Sequence, residues 1–283
     1  MNQKELILND EHLSRIAKCD PLVDEHIATY MHVLHSRKKC EGCEGLNECC
    51  QLSRGERLDL VYDGVLIEQI EYCDYALQVK KKESLLQKYL YCDVPKELSS
   101  LDLNNISYTE DQKGLYLELA KILHGLSDKG LYICGDLGVG KTYLCTALAN
   151  SLVKQGKKVA FVKVSNFFNQ MKSDLSNNPE GIDPKINILK KADYLFLDDI
   201  GSETVSEFVR DDILFRILDY RLENRLTTIF TSNLSTEDLL KHYQYDRKEK
   251  SNLMNARRLV ERIEILSDNF VLSGTNMRRI DNA

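Results

Sequence analysis

The sequence predicts an α/β fold, a doubly wound parallel sheet, preceded by a small helical domain. Three observations predict it. From about residue 108, short apolar β-rich runs alternate with stretches of helical period, and strands that alternate with helices build parallel βαβ units. The first of these runs ends in a glycine-rich corner that opens a helix, LYICGDLGVGKTYLCTALAN at residues 131–150. The third is the uneven placing of nine cysteines, most of them in the first ninety residues.

The first domain is expected at residues 1–90. Asp20-Pro21 suits a helix start, with Asp as cap and Pro in the first turn. Val23, Ile27, Tyr30, Met31 and Leu34 then recur on one helical face. LDLVYDGVLIEQIEYC predicts a hairpin turning at Asp63-Gly64, and QVKKKESLLQKYLY a helix. Residues 91–107 are polar, contain Pro95 and lack a period, which predicts a linker. In the second domain, 108–283, strands are predicted at 130–134, 158–164, 193–198, 227–233 and 269–272. The helices are predicted at 141–155, 165–175, 205–225, 235–243 and 255–266.

The chain of 283 residues is long enough for two domains. It has no apolar run of membrane-spanning length, and its first residues lack a basic stretch followed by an apolar one. The expected setting is the cytoplasm, where cysteines stay reduced or bind metal. A net charge of −6 argues against a wholly basic nucleic-acid coat but leaves room for a local basic groove.

Gly135 to Thr142, GDLGVGKT, fits G-x-x-x-x-G-K-[ST]. A polyphosphate needs several N–H donors aimed at one point, and glycine lets the backbone curl without a Cβ clash. The helix that follows adds free N–H groups and the positive end of its dipole. Gly135, Asp136, Leu137, Gly138, Val139, Gly140, Lys141, Thr142 and Tyr143 are therefore the expected nucleotide contacts. Lys141 would reach the β- and γ-phosphates and Thr142 would hold Mg²⁺. The strand Tyr194–Leu197 ends in Asp198 and Asp199. Ligands gather at that edge of such sheets, so Asp198 is expected on Mg²⁺ and Asp199 on the attacking water. Asn233 ends a β-branched run, where a neutral amide could orient water. Arg257, Arg258 and Arg262 sit on one predicted helix, either as surface ion pairs or as a finger reaching a neighbouring nucleotide.

Taken together, GDLGVGKT, FLDDIG, TTIFTSN and ARRLVERI resemble the AAA+ ATPases. Within them they resemble the bacterial replicative-helicase loaders of the DnaC/DnaI type. FVRDDILFRILDYRLENRLTTIFTSN and LSGTNMRRI are most similar to the primosomal DnaI branch. The resemblance covers residues 92–283. It implies an Asp-Asp pair, matched by Asp198 and Asp199. It also implies a Gly-x-Asn/Ser-x-Arg motif near the end, matched by Gly274, Asn276 and Arg278, and no helical lid domain. It implies ATP and Mg²⁺ as cofactors, Asn233 as sensor 1, and Arg258, then Arg262, as the trans-acting finger. The implied partners are the hexameric replicative helicase and single-stranded DNA, with self-association or initiator and primosome proteins besides. Lys185, Lys190 and Lys191 are candidates for the DNA.

Cys40-x-x-Cys43 is a metal-ligand half-site, and Cys49, Cys50 and Cys73 follow it; reduced structural thiols are the alternative. The resemblance implies a zinc-binding, helicase-holding first domain, with Zn²⁺ on Cys40, Cys43, Cys73 and a fourth ligand. The histidine that the family places there is absent, since Glu56 and Arg57 follow Gly55. Cys50 is the expected fourth ligand, with Cys49 or His35 as alternatives. Cys92 falls in the linker. Cys134 and Cys145 are expected to be small core residues, and His26 and His32 ordinary surface or packing residues.

The expected function is an ATP-dependent helicase loader with weak or regulated ATPase activity. An IstB-like transposition ATPase shares the ATPase motifs but leaves the cysteine-rich domain unexplained. A P-loop kinase would need an acceptor pocket and no Asn233.

Overall fold

A computed structural model describes residues 2–245 and 251–277. The chain divides into two compact units between Glu83 and Ser84. In the first, α1 (Gln3–Asn9), α2 (Glu11–Ala17) and α3 (Ile27–Lys38) pack beside a hairpin of β1 (Glu56–Tyr62) and β2 (Leu66–Tyr72). The core joins Ile7, Leu13, Tyr30, Val33, Leu34 and Leu60. Asp10 accepts from the N–H groups of His12 and Leu13, which starts α2. The hairpin turns at Asp63-Gly64 as expected, with Gly64 at φ +74°.

The helix expected from Asp20-Pro21 starts six residues later, at Ile27. Asp20 is buried and serves the turn before the helix: its carboxylate accepts from Leu22 N–H and Tyr30 O–H and lies 2.8 Å from His26 Nδ1. Burial pushes its pKa up, but the His26 contact and the Leu22 N–H outweigh that and hold it below the usual range. The next helix, α4 (Asp74–Leu86), starts and ends before the sequence-based expectation.

The second unit holds β3 (Tyr91–Cys92), α5 (Glu110–Leu123), β4 (Gly130–Cys134), α6 (Lys141–Lys154), β5 (Val159–Lys163), α7 (Val164–Asn177), α8 (Ile182–Lys191) and β6 (Tyr194–Asp198). A π-helical segment, Phe208–Phe215, leads into α9 (Arg216–Glu223). Then come β7 (Thr227–Ser232), α10 (Thr236–Gln244), α11 (Leu253–Leu266) and β8 (Ser267–Val271). The six strands form one parallel sheet in the order β3-β5-β6-β7-β4-β8. Alternate side chains face opposite cores. Tyr132, Val162, Leu197 and Phe230 join α7 to α11 on one side; Ile133, Phe161, Phe196 and Ile229 join α5 and α6 on the other. Among the described residues no helix is long and apolar enough to cross a membrane.

The expected linker at 91–107 is built into this unit. β3 pairs with β5, and the flanking N–H groups of Leu90 and Asp93 donate to Val159 and Phe161 carbonyls. Its other anchors lie on α6. The buried Asn150 amide donates to the carbonyls of Leu98 and Leu101, and Ser151 Oγ accepts from Leu103 N–H. Asp102 closes the contact, accepting from Lys154 Nζ at 2.7 Å, Ser151 Oγ at 3.0 Å and Asn104 N–H at 3.0 Å. Burial raises its pKa, but Lys154 and the other two donors bring it down to about 2.

A carboxylate whose folded pKa is depressed stabilises the fold above its unfolded value and loses that contribution as pH falls through the folded one. Asp102→Asn is expected to lower stability by about 1–2 kcal/mol at neutral pH. The difference from wild type should shrink between pH 3.8 and about 2. Urea melts across that window check it, and a difference independent of pH would contradict it.

Candidate nucleotide-binding site

Strand β7 lies between β4 and β6, so the ends of three strands meet at one rim. β4 leads into the loop at 135–140, which opens α6 at Lys141. β6 delivers Asp198 and Asp199, and β7 delivers Thr231, Ser232 and Asn233. The register pairs Leu197 with Phe230 and Cys134 with Ser232, which sets Asp198 beside Thr231.

The side chains converge there. Lys141, only 8% exposed, donates to Gly135 O at 2.7 Å, Asp136 O at 2.8 Å and Asn233 Oδ1 at 2.9 Å. Asn233 in turn donates through Nδ2 to Asp199 Oδ1 at 3.1 Å. Thr142 Oγ1 donates to Asp198 Oδ1 at 2.8 Å. Gly138, at φ +82°, passes so close to the Asn276 amide that a Cβ would stand 2.1 Å from Asn276 Oδ1. Only glycine meets both conditions. Val139 is buried, Leu137 is exposed, and Tyr143 packs half-buried against the α5–α6 core. Arg278 lies outside the described residues.

Thr231 completes the site and is the residue that motif matching overlooks. Its Oγ1 donates to Asp198 Oδ1 at 2.7 Å and accepts from Asp199 N–H at 2.8 Å. It thereby aims one acid and fixes the backbone of the other. Asp199 needs that fixing, because it sits at φ +61°, a conformation unusual for a residue with a Cβ. The third threonine in TTIFT, at a strand end one position before Ser232, was the available signal.

Burial dominates the electrostatics. It pushes Lys141 down, against the pull of Asp199 and Asp198, and pushes Asp198 up, against the donors Thr231 and Thr142. The Asp198 carboxylate and the Thr142 hydroxyl share one point, and hard oxygen ligands of this kind suit Mg²⁺. The curled loop, the cation behind it and the oxygen pair in front fit a magnesium-bound polyphosphate.

A sequence profile of the IstB-like ATP-binding proteins matches residues 78–278. The chain belongs to the IstB-like ATP-binding protein family. This IstB-like protein is 27% identical over 290 aligned positions to the replicative helicase loader DnaI of Bacillus subtilis, covering 97% of this chain and 92% of that one. A solved structure of DnaI matches 66% of this chain and 98% of its own, with 30% identity and a TM-score of 0.57. A primosome component from Streptococcus pyogenes matches 70% and 100%, with 28% identity and a TM-score of 0.55. The AAA+ fold expected from the sequence is thus the fold of this IstB-like protein.

Its candidate arginines differ in what holds them. Arg257 and Arg258 are exposed, and Arg258 lies 4.6 Å from the Phe215 ring. Arg262 is bound within its own chain: Nε donates to Asp219 Oδ1 at 2.8 Å and Nη1 to Arg258 O at 2.9 Å. Of the basic candidates for DNA, Lys185 pairs with Asp174 at 2.7 Å and Lys190 stands over the Tyr220 ring. Cys134 and Cys145 are buried in the core.

The expected zinc centre is not assembled. Among the described residues no three His, Cys, Asp or Glu are grouped to hold a metal. Four thiols of the cluster have local partners instead. Cys40 Sγ accepts from Gln51 Nε2, and Cys43 Sγ donates to Gly45 O. Cys49 Sγ accepts from Gly55 N–H, and the exposed Cys50 donates to Glu48 O. Cys73 is free as well, and His35 is exposed on α3. As placed, Cys40, Cys43, Cys50 and Cys73, with Cys49 or His35 in place of Cys50, form no group of three metal ligands.

Proposed function

We propose that this protein is an ATP-dependent loader that binds the replicative DNA helicase and delivers it to single-stranded DNA. The supporting observation is the extent of the likeness to the B. subtilis loader. It spans 97% of the chain and so takes in the first unit, whereas the IstB-like profile begins at residue 78. A transposition ATPase has no need of that first unit; a loader uses it to hold the helicase.

In this proposal Lys141 and the N–H groups of 135–142 grip the triphosphate. Thr142 and Asp198 hold Mg²⁺, which supplies positive charge to the phosphate oxygens. Asp199 polarises the attacking water and Asn233 orients it. Arg258, exposed beside the Phe215 ring, reaches the nucleotide of a neighbouring copy. Binding and release of the helicase then follow the nucleotide state, a two-state element biased by one ligand. The setting is the cytoplasm, where initiator and primosome proteins are further partners.

The test uses the full chain with the hexameric replicative helicase of the same host. The loader proposal expects capture of the helicase, and phosphate release from ATP without any added acceptor. Absence of capture sinks the loader. Capture without phosphate release would leave a nucleotide-regulated adaptor, and release only with an acceptor would point to a kinase.

A further inference from the structure

Gln112 is almost wholly buried, 3% exposed, in the first turn of α5. Both ends of its amide are used. Oε1 accepts from Thr109 N–H at 3.1 Å, closing the capping box of α5. Nε2 leaves the helix and donates to Val139 O, in the glycine loop, at 2.9 Å. The approach is close: a Cβ on Gly140, which has φ +99°, would stand 2.3 Å from Gln112 Nε2.

The direction of that bond matters. In a planar trans peptide the carbonyl and the N–H point opposite ways. Holding the Val139 carbonyl toward α5 therefore turns the Gly140 N–H away from α5. The preceding peptide is held similarly, because Met277 N–H donates to Gly138 O at 3.0 Å, which turns the Val139 N–H. Neither the Val139 nor the Gly140 N–H donates to another described residue. A donor with no partner among the described residues, on a peptide fixed from behind, is arranged to serve an anion.

We propose that Gln112 is a positioning residue for phosphate binding: through the Val139 carbonyl it aims the Gly140 N–H at the phosphates. This rests on the assignment of 135–142 as the nucleotide loop. Helix α5 thereby becomes part of the binding apparatus, with one amide serving both helix start and loop.

The two duties can be separated. Gln112→Glu keeps the acceptor for Thr109 and replaces the donor to Val139 with a repelling oxygen. Gln112→Met fills the space and serves neither group. Thr109→Ala weakens the helix start and leaves the Gln112–Val139 bond. Binding of MgATP is titrated with a fluorescent analogue, and folding is followed by circular dichroism, on the full chain. Both Gln112 variants are expected to weaken MgATP binding tenfold or more while still folded. Thr109→Ala should lower the thermal midpoint and leave affinity within twofold. Folded Gln112 variants that bind like wild type would overturn the proposal. So would affinity losses that simply follow lost stability in all three. Lys141→Ala, run beside them, separates two failures: normal binding there refutes the nucleotide loop itself, whereas normal binding in the Gln112 variants alone refutes only the positioning role.

Discussion

Lys141→Ala is expected to weaken MgATP binding by a hundredfold or more while the chain stays folded. The ammonium is held at the mouth of the loop by Gly135 O, Asp136 O and Asn233 Oδ1. Phosphate oxygens are stronger acceptors than these carbonyls, because they carry charge. A charge-assisted hydrogen bond contributes about 1.5–3 kcal/mol. Two of them, to two phosphates, correspond to roughly a hundred- to twenty-thousandfold in affinity. The fold loses far less. Burial already holds the lysine below its usual pKa, so removing it also removes a desolvation penalty, and water can reach the carbonyls it leaves. A loss of about 1–2 kcal/mol is small beside a typical domain stability of roughly 5–15 kcal/mol. Titration with a fluorescent ATP analogue beside circular dichroism reads both halves, and unaltered affinity would refute the role of Lys141.

How much of this was legible before the structure follows from which residues speak locally. The glycine loop was, because its chemistry demands fixed residue types at fixed spacing within eight positions. Strands β4 to β7 were, because each is a short run rich in apolar and β-branched residues, whereas β8, SDNFV, is mostly polar and starts two residues before its expected place. Strand order was not. That β7 enters between β4 and β6 is decided by packing between distant segments, and Thr231 gains its role only from that order.

Two helices of the second unit were missed for local reasons. Helix α5 has Gly114 in its middle, where a ring carbon of Phe270 would stand 3.3 Å from a Cβ, and glycine weakens a helical pattern. Helix α8 contains Pro184. That proline sits in the first turn, where its missing N–H costs nothing, so it marks a beginning and not a break. The segment 91–107 looked like a linker because its anchors, Asn150 and Ser151, lie some fifty residues further on. The cysteine spacing invited a metal, yet spacing states only where thiols stand in the chain, not which way they turn.

Arg221→Met is expected to destabilise the second unit by about 3–5 kcal/mol. In the sequence Arg221 stands among polar neighbours of an amphipathic helix and passes for a surface charge. In the fold it is fully buried. Nε donates to Thr228 Oγ1 at 2.8 Å, Nη1 to Leu189 O at 2.9 Å and Ala192 O at 2.7 Å, and Nη2 to Thr227 O at 2.6 Å. One planar side chain thus ties the end of α8 to the start of β7, and burial pulls its pKa down to about 9. Methionine fills the volume but leaves three carbonyls unpaired in the interior, each costing about 1–3 kcal/mol before relaxation. Lysine restores little, because a single ammonium cannot hold this fork of acceptors. A unit of this size should lose about 10 °C in thermal midpoint. The affected contacts lie where β7 begins, whereas Lys141, Asp199 and Asn233 lie where the strands end. Folded Arg221→Met at low temperature should therefore bind MgATP as wild type does, and saturating MgATP should recover part of the lost midpoint. A midpoint within a degree or two of wild type would show that the buried guanidinium holds nothing together. A loss of affinity in the folded variant would show that the two ends of the sheet are not independent.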